Sequence, residues 1–155
     1  MDSHYNGPDR RKGVRANTNF LVLYDFDPRL KVRLTIKRKI FNAIAKNLSE
    51  IGMAILTNID LPPNISANLS FNLYNNAEAD PAKRVRQIAV DCRTCYCFLL
   101  PDGAFQVGLR FLNLTEGDRS YIAKYVKDFA GKQKADKESR TQARPARVGA
   151  RRRQD

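Results

Sequence analysis

Six residues in the first third of the chain have types and spacing suited to chemistry: Arg10, Arg11, Arg15, Asn47, Ser49 and Gly52. Arg11 and Arg15 form an R-x-x-x-R pair, with Arg10 doubling the first arginine. A guanidinium is a planar fork of donors that fits phosphate oxygens or the O6/N7 edge of a guanine; lysine would keep the charge and lose the fork. Gly13 lies between the arginines and makes that segment pliable enough to wrap a ligand. Asn47-Leu-Ser49-Glu-Ile-Gly52 is a small polar N-x-S-x-x-G turn. Asn47 and Ser49, two apart on an extended chain, project to one side. They could meet the far edge of the same base, Asn47 Oδ1 accepting from a ring N–H, while Gly52 supplies the bend that holds them. Each stretch also has a plainer reading: a solvated basic cluster, and an ordinary turn with glycine at positive φ. Together they suggest a receptor for a guanine-containing, doubly phosphorylated ligand.

Catalysis finds no support. The chain has a single histidine, His4, no paired acid–base set, no nucleophile elbow and no Walker glycine loop, so no enzyme is expected. Cys92, Cys95 and Cys97 form C-x-x-C-x-C, half of a metal site with no second cluster. They read as small side chains on a strand, and neither a metal nor a cofactor is expected. The net charge of +12 is uneven: residues 1–16 contribute +2, residues 17–130 contribute +4 and residues 131–155 contribute +6. Half of the excess thus belongs to the tail, and the high pI is poor evidence that the folded part binds nucleic acid. With no apolar N-terminal leader and no run near the ~18 residues of a membrane span, the expected location is cytoplasmic.

The elements that would position the six residues are mostly strands. Residues 1–9 read as a flexible lead. Asn19–Tyr24 is an expected strand, and residues 30–36 alternate strictly as a half-buried one. Residues 36–51 fit a helical stripe about as well as a strand. Residues 52–56 and 65–74 are further strands. Ile88, Val90, Cys92, Thr94, Tyr96, Phe98 and Leu100 share one parity, and Phe105 to Phe111 returns after Pro101-Asp102-Gly103. That predicts a long antiparallel hairpin with Cys92 and Tyr96 facing the core, and Cys95 and Cys97 on the other face. Thr115 to Asp118 resembles a capping box, and Ile122, Tyr125, Val126 and Phe129 follow at helical spacing, with Gly131 as a stop. One helix of about four turns should close the domain, and residues 131–155 should form a disordered basic tail. An antiparallel sheet needs its edges closed or covered, and a barrel carrying the helix does both.

Arg10-Arg11-Lys-Gly-Val-Arg15 and Asn47-Leu-Ser49-Glu-Ile-Gly52, in that order, followed by Gln106-Val-Gly108-Leu-Arg-Phe111 and a terminal helix, resemble the PilZ domain, a bacterial receptor module for cyclic di-GMP (c-di-GMP). The resemblance spans roughly residues 10–130. It implies a six-stranded antiparallel β-barrel with a C-terminal α-helix, and it makes residues 39–48 a strand. It also implies that Arg11 and Arg15, with Arg10 beside them, grip phosphates and guanine O6/N7. Asn47 and Ser49 would meet a guanine edge, and Gly52 matches the motif glycine. Asn in place of Asp at 47 exchanges a charged acceptor for a neutral one. Since the chain has no Trp, stacking of guanine on an indole is unavailable, and Arg93 or Cys95 on the outer face could line the site instead. The expected output is non-enzymatic: the arginine segment orders on binding ligand and presents a surface to a downstream protein. Two alternatives remain open, a nucleic-acid-binding β-barrel with a basic tail and a ligand-free scaffold that binds only protein.

Overall fold

The computed structural model of the chain describes residues 15–26, 29 and 40–142. The strands are β1 (Ala16–Phe26), β2 (Phe41–Leu48), β3 (Gly52–Thr57), β4 (Ser66–Tyr74), β5 (Val85–Leu99) and β6 (Phe105–Phe111). They close into a barrel in the order β1-β2-β3-β6-β5-β4, every neighbour antiparallel. Closure removes the free edges that an open sheet of this size would leave. A helix, α1 (Glu116–Gln142), follows. Among the described residues no helix is long and apolar enough to cross a membrane.

Alternation builds the barrel. Val22, Tyr24 and Phe26 on β1, Phe41, Ala43 and Ala45 on β2, and Ala67, Leu69, Phe71 and Leu73 on β4 all point inward and are buried. The period of two also decides the stretch that fitted helix and strand equally: residues 41–48 form a strand, paired on both sides. Buried polar groups are answered. Tyr24 Oη meets Thr57 Oγ1 at 2.5 Å. Thr94 Oγ1 donates to the Pro62 carbonyl at 2.6 Å and accepts from the Ile65 N–H at 3.0 Å. The β5–β6 turn uses Gly103 at φ +86°, with its N–H donating to the Leu100 carbonyl at 3.0 Å.

Two elements depart from the sequence reading. First, β5 does not keep one parity. Thr94 pairs with Leu109 and Tyr96 with Gly108, so Cys95 is an extra residue and forms a bulge. Parity holds from Ile88 to Thr94 and inverts afterwards: Tyr96 and Phe98 face outward, while Cys97 packs half-buried against the core. Second, α1 does not stop at Gly131. Residues 131–142, expected within the disordered tail, are helical. An interior glycine costs a helix only about 1 kcal/mol relative to alanine. Lys, Ala, Gln and Glu after it are good helix formers, and Gln133 Nε2 donates to the Asn17 carbonyl at 3.1 Å. The helix start agrees with expectation, since Thr115 Oγ1 accepts from the Asp118 N–H at 3.2 Å. The Asp118 carboxylate does not complete the box; it takes Arg86 Nε at 2.7 Å. Ile122, Tyr125 and Val126 join the barrel core. The lead over residues 1–9, the strand expected at 30–36 and the last part of the tail, residues 143–155, lie outside the described residues.

Candidate functional site

One end of the barrel carries an open cleft of about 320 Å³ where the start of β1, the β2–β3 turn and the β5–β6 pair meet. Arg15 reaches it because Ala16 pairs with Leu48, which sets the residue before β1 beside the residues that end β2. Asn47, Ser49 and Gly52 line it as well, so four of the six residues singled out in the sequence converge on one surface. Arg10 and Arg11 lie outside the described residues.

The turn is built from its own side chains. Asn47 Oδ1 accepts from the Ala54 N–H at 3.1 Å, across a register shift between Ala45 and Asn47. That bond leaves Asn47 Nδ2 and the second lone pair of Oδ1 for a ligand. Ser49 is buried; its Oγ donates to the Gly52 carbonyl at 3.2 Å and accepts from the Ile51 N–H at 3.3 Å. Ser49 therefore shapes the turn and has only acceptor capacity to spare. Gly52 is not at positive φ and does not serve as a sharp bend. It lies on β3 opposite Arg110, and a Cβ there would run into the Leu109 carbonyl, 3.2 Å from its carbon. Close approach of β6, not backbone freedom, requires glycine at that position.

The far wall was missed by parity. The Cys95 bulge turns Tyr96 into the cleft, where its ring lies over Gly108. A Cβ at Gly108 would stand 2.5 Å from Tyr96 Cζ, so only glycine lets the ring lie flat on the sheet. Phe98 stacks behind it, with ring centroids 5.7 Å apart and planes 14° apart. A glycine in mid-strand was the available signal, because it marks a bulge or a close approach. Cys95 and Arg110 line the cleft too, Cys95 as expected of the outer face; Arg93 does not line it. Cys92 sits in the core, its thiol pushed up to about 12 by burial, with Asp91 and Cys95 adding to the shift. Among the described residues no group of three His, Cys, Asp or Glu could hold a metal ion.

The class defined here is a small closed antiparallel β-barrel with a C-terminal helix and a cationic, amide-lined and aromatic cleft at one end. The chain matches the PilZ domain model over residues 9–128, and it belongs to the PilZ family. The Bacillus subtilis inhibitor of motility MotI/DgrA superposes with a TM-score of 0.61 at 17% identity, over 84% of this chain and 54% of that one. MrkH of K. pneumonia, solved with c-di-GMP, gives 0.58 at 16% identity, over 83% and 56%. The PilZ domain of Escherichia coli YcgR, also solved with c-di-GMP, gives 0.52 at 12% identity, over 84% and 98%. The chain thus spans about half the length of MotI/DgrA and MrkH, and at these identities the likeness is one of fold. No curated protein sequence matches the chain.

Proposed function

We propose that the chain is a non-enzymatic receptor for c-di-GMP. The observation that carries this reading is the convergence of Arg15, Asn47, Ser49 and Gly52 on one cleft in a PilZ barrel. MrkH and the YcgR domain, which share the fold, were solved with that ligand. Arg15, joined by Arg10 and Arg11 from the segment before it, grips phosphate and the O6/N7 edge of a guanine with charge-assisted bonds. Asn47 meets the base edge through Nδ2 and its remaining acceptor site. Tyr96 supplies an aromatic face in place of the indole that the chain lacks, and base stacking on such a ring is worth about 1–3 kcal/mol.

The signal is mechanical. Ordering the arginine segment costs about 1–2 kcal/mol per residue in backbone entropy, which bonds to two phosphates and two guanines offset. The ordered segment then presents a new surface to a downstream protein. Replacing Arg11 by Ala removes one fork of the Arg11–Arg15 pair and should abolish binding in a calorimetric titration of the full chain. Unchanged affinity in that variant would exclude the arginine grip. The exposed Tyr96–Phe98 stack favours one rival, a nucleic-acid-binding barrel using its basic tail. That rival requires a short single-stranded RNA to bind with strong salt dependence and little preference for base.

A further inference from the structure

Arg93 on β5 and Arg110 on β6 are register partners, directly opposite each other and exposed on the outside of the barrel. Arg110 also pairs with Gly52 and lines the cleft; Arg93 stands one strand further out, opposite Ser66. Like charges directly opposite across an antiparallel pair destabilise it. Among the described residues neither arginine forms an ion pair; the ion pairs there are Lys83–Asp80, Arg86–Asp118 and Lys124–Glu78. Asp91, two residues before Arg93 on the same face, already takes Asn113 Nδ2 at 2.7 Å and Asn68 Nδ2. Glu50, in the turn between β2 and β3, forms no ion pair with either arginine. A pair of guanidinium forks with no ion-pair partner among the described residues therefore stands at the rim of the cleft, on the side away from Arg15.

We propose that Arg93 and Arg110 form a second phosphate subsite, which selects a guanine ligand with two separated phosphodiesters over a mononucleotide. This inference rests on the c-di-GMP reading and deepens it. In the strand order, Arg15 and Arg110 are three strand spacings apart around the closed barrel, roughly 14 Å along the curved sheet at about 4.8 Å per strand. A mononucleotide whose phosphate is held at Arg15 leaves the Arg93–Arg110 pair unanswered, whereas a cyclic dinucleotide carries a second phosphate toward it. The anion also relieves the repulsion between the two arginines, so binding is strengthened by a strain present in the empty barrel.

The test titrates c-di-GMP and GMP into the full chain, as wild type and with Arg93→Gln, Arg110→Gln and both. The double variant should lose at least tenfold in affinity for c-di-GMP while GMP changes less than twofold. The salt dependence of c-di-GMP binding should also become shallower. Without ligand, either single variant should melt higher than wild type, because the repulsion is gone. Wild-type affinity for c-di-GMP in the double variant overturns the proposal, as does an equal loss for both ligands, which would mark a general positive field. A lower melting temperature in both single variants also overturns it, since each arginine would then be answered within the fold. A wild-type chain that binds no c-di-GMP would instead remove the receptor reading itself, and this subsite with it.

Discussion

Tyr96 reaches the cleft only because Gly108, across the sheet, has no side chain. Two substitutions therefore test one contact from opposite sides. Tyr96→Ala removes the ring, and Gly108→Val leaves the ring intact but drives it off the sheet. Each should weaken c-di-GMP by about 1–3 kcal/mol, or roughly fivefold to 150-fold, by calorimetry. If neither variant changes affinity, Tyr96 is no part of the site. The cysteines report on the same wall. Burial holds Cys92 at about 12, so it stays a thiol at neutral pH and should resist alkylation until the barrel unfolds. Cys95, exposed in the cleft, should react in the native protein and more slowly with c-di-GMP bound. Peptide mapping by mass spectrometry after brief iodoacetamide treatment checks both outcomes; a Cys95 rate indifferent to ligand would place the ligand elsewhere. Arg15, Asn47, Ser49 and Gly52 were legible in the sequence because their side-chain chemistry and spacing are unusual together. Tyr96 was not, because one extra residue at Cys95 reverses every later side chain, and a bulge leaves the hydrophobic alternation looking unbroken.

At the scale of elements, the helix shows most directly where pattern reading succeeds and stops. Its start was legible, since Thr115 offers a side-chain acceptor to the free N–H groups of the first turn. Its end was not. A glycine terminates a helix only when it adopts a left-handed conformation and closes the last carbonyls, and sequence alone does not show whether Gly131 does so. Gly131 instead stays within α1, exposed, with nothing within 4 Å of the position a Cβ would take. Gly131→Ala should therefore stabilise the protein by about 0.5–1 kcal/mol in urea denaturation. A loss of stability would mean that the helix breaks there after all. Ile122, fully buried against the barrel, should behave in the opposite way, with Ile122→Ala costing about 2–5 kcal/mol. A cost below 1 kcal/mol would show that α1 is loosely attached. Lys124–Glu78, Asn75–Asp128 and the Tyr121 hydroxyl on the Lys83 and Arg84 carbonyls also tie α1 to the connection between β4 and β5. The β2 segment was ambiguous for a different reason: its apolar residues satisfy both periods, and pairing with β1 and β3 decides it.

At the scale of the whole molecule, charge and site are separate matters. Half of the +12 lies in residues 131–155, whereas the cleft is lined by residues of the barrel strands, the β2–β3 turn and Arg15. A polyanion attracted by net charge would follow the tail, and a ligand read by guanidinium forks, an amide and a ring would follow the cleft. The most direct measurement is a calorimetric titration of the full chain with c-di-GMP, GTP and a short single-stranded RNA, repeated with Arg15→Ala. The account predicts saturable heat with c-di-GMP at far lower concentration than with GTP, none with the RNA, and loss of the c-di-GMP heat in the Arg15 variant. No heat with c-di-GMP would contradict it, as would RNA binding of equal strength that disappears when residues 132–155 are removed.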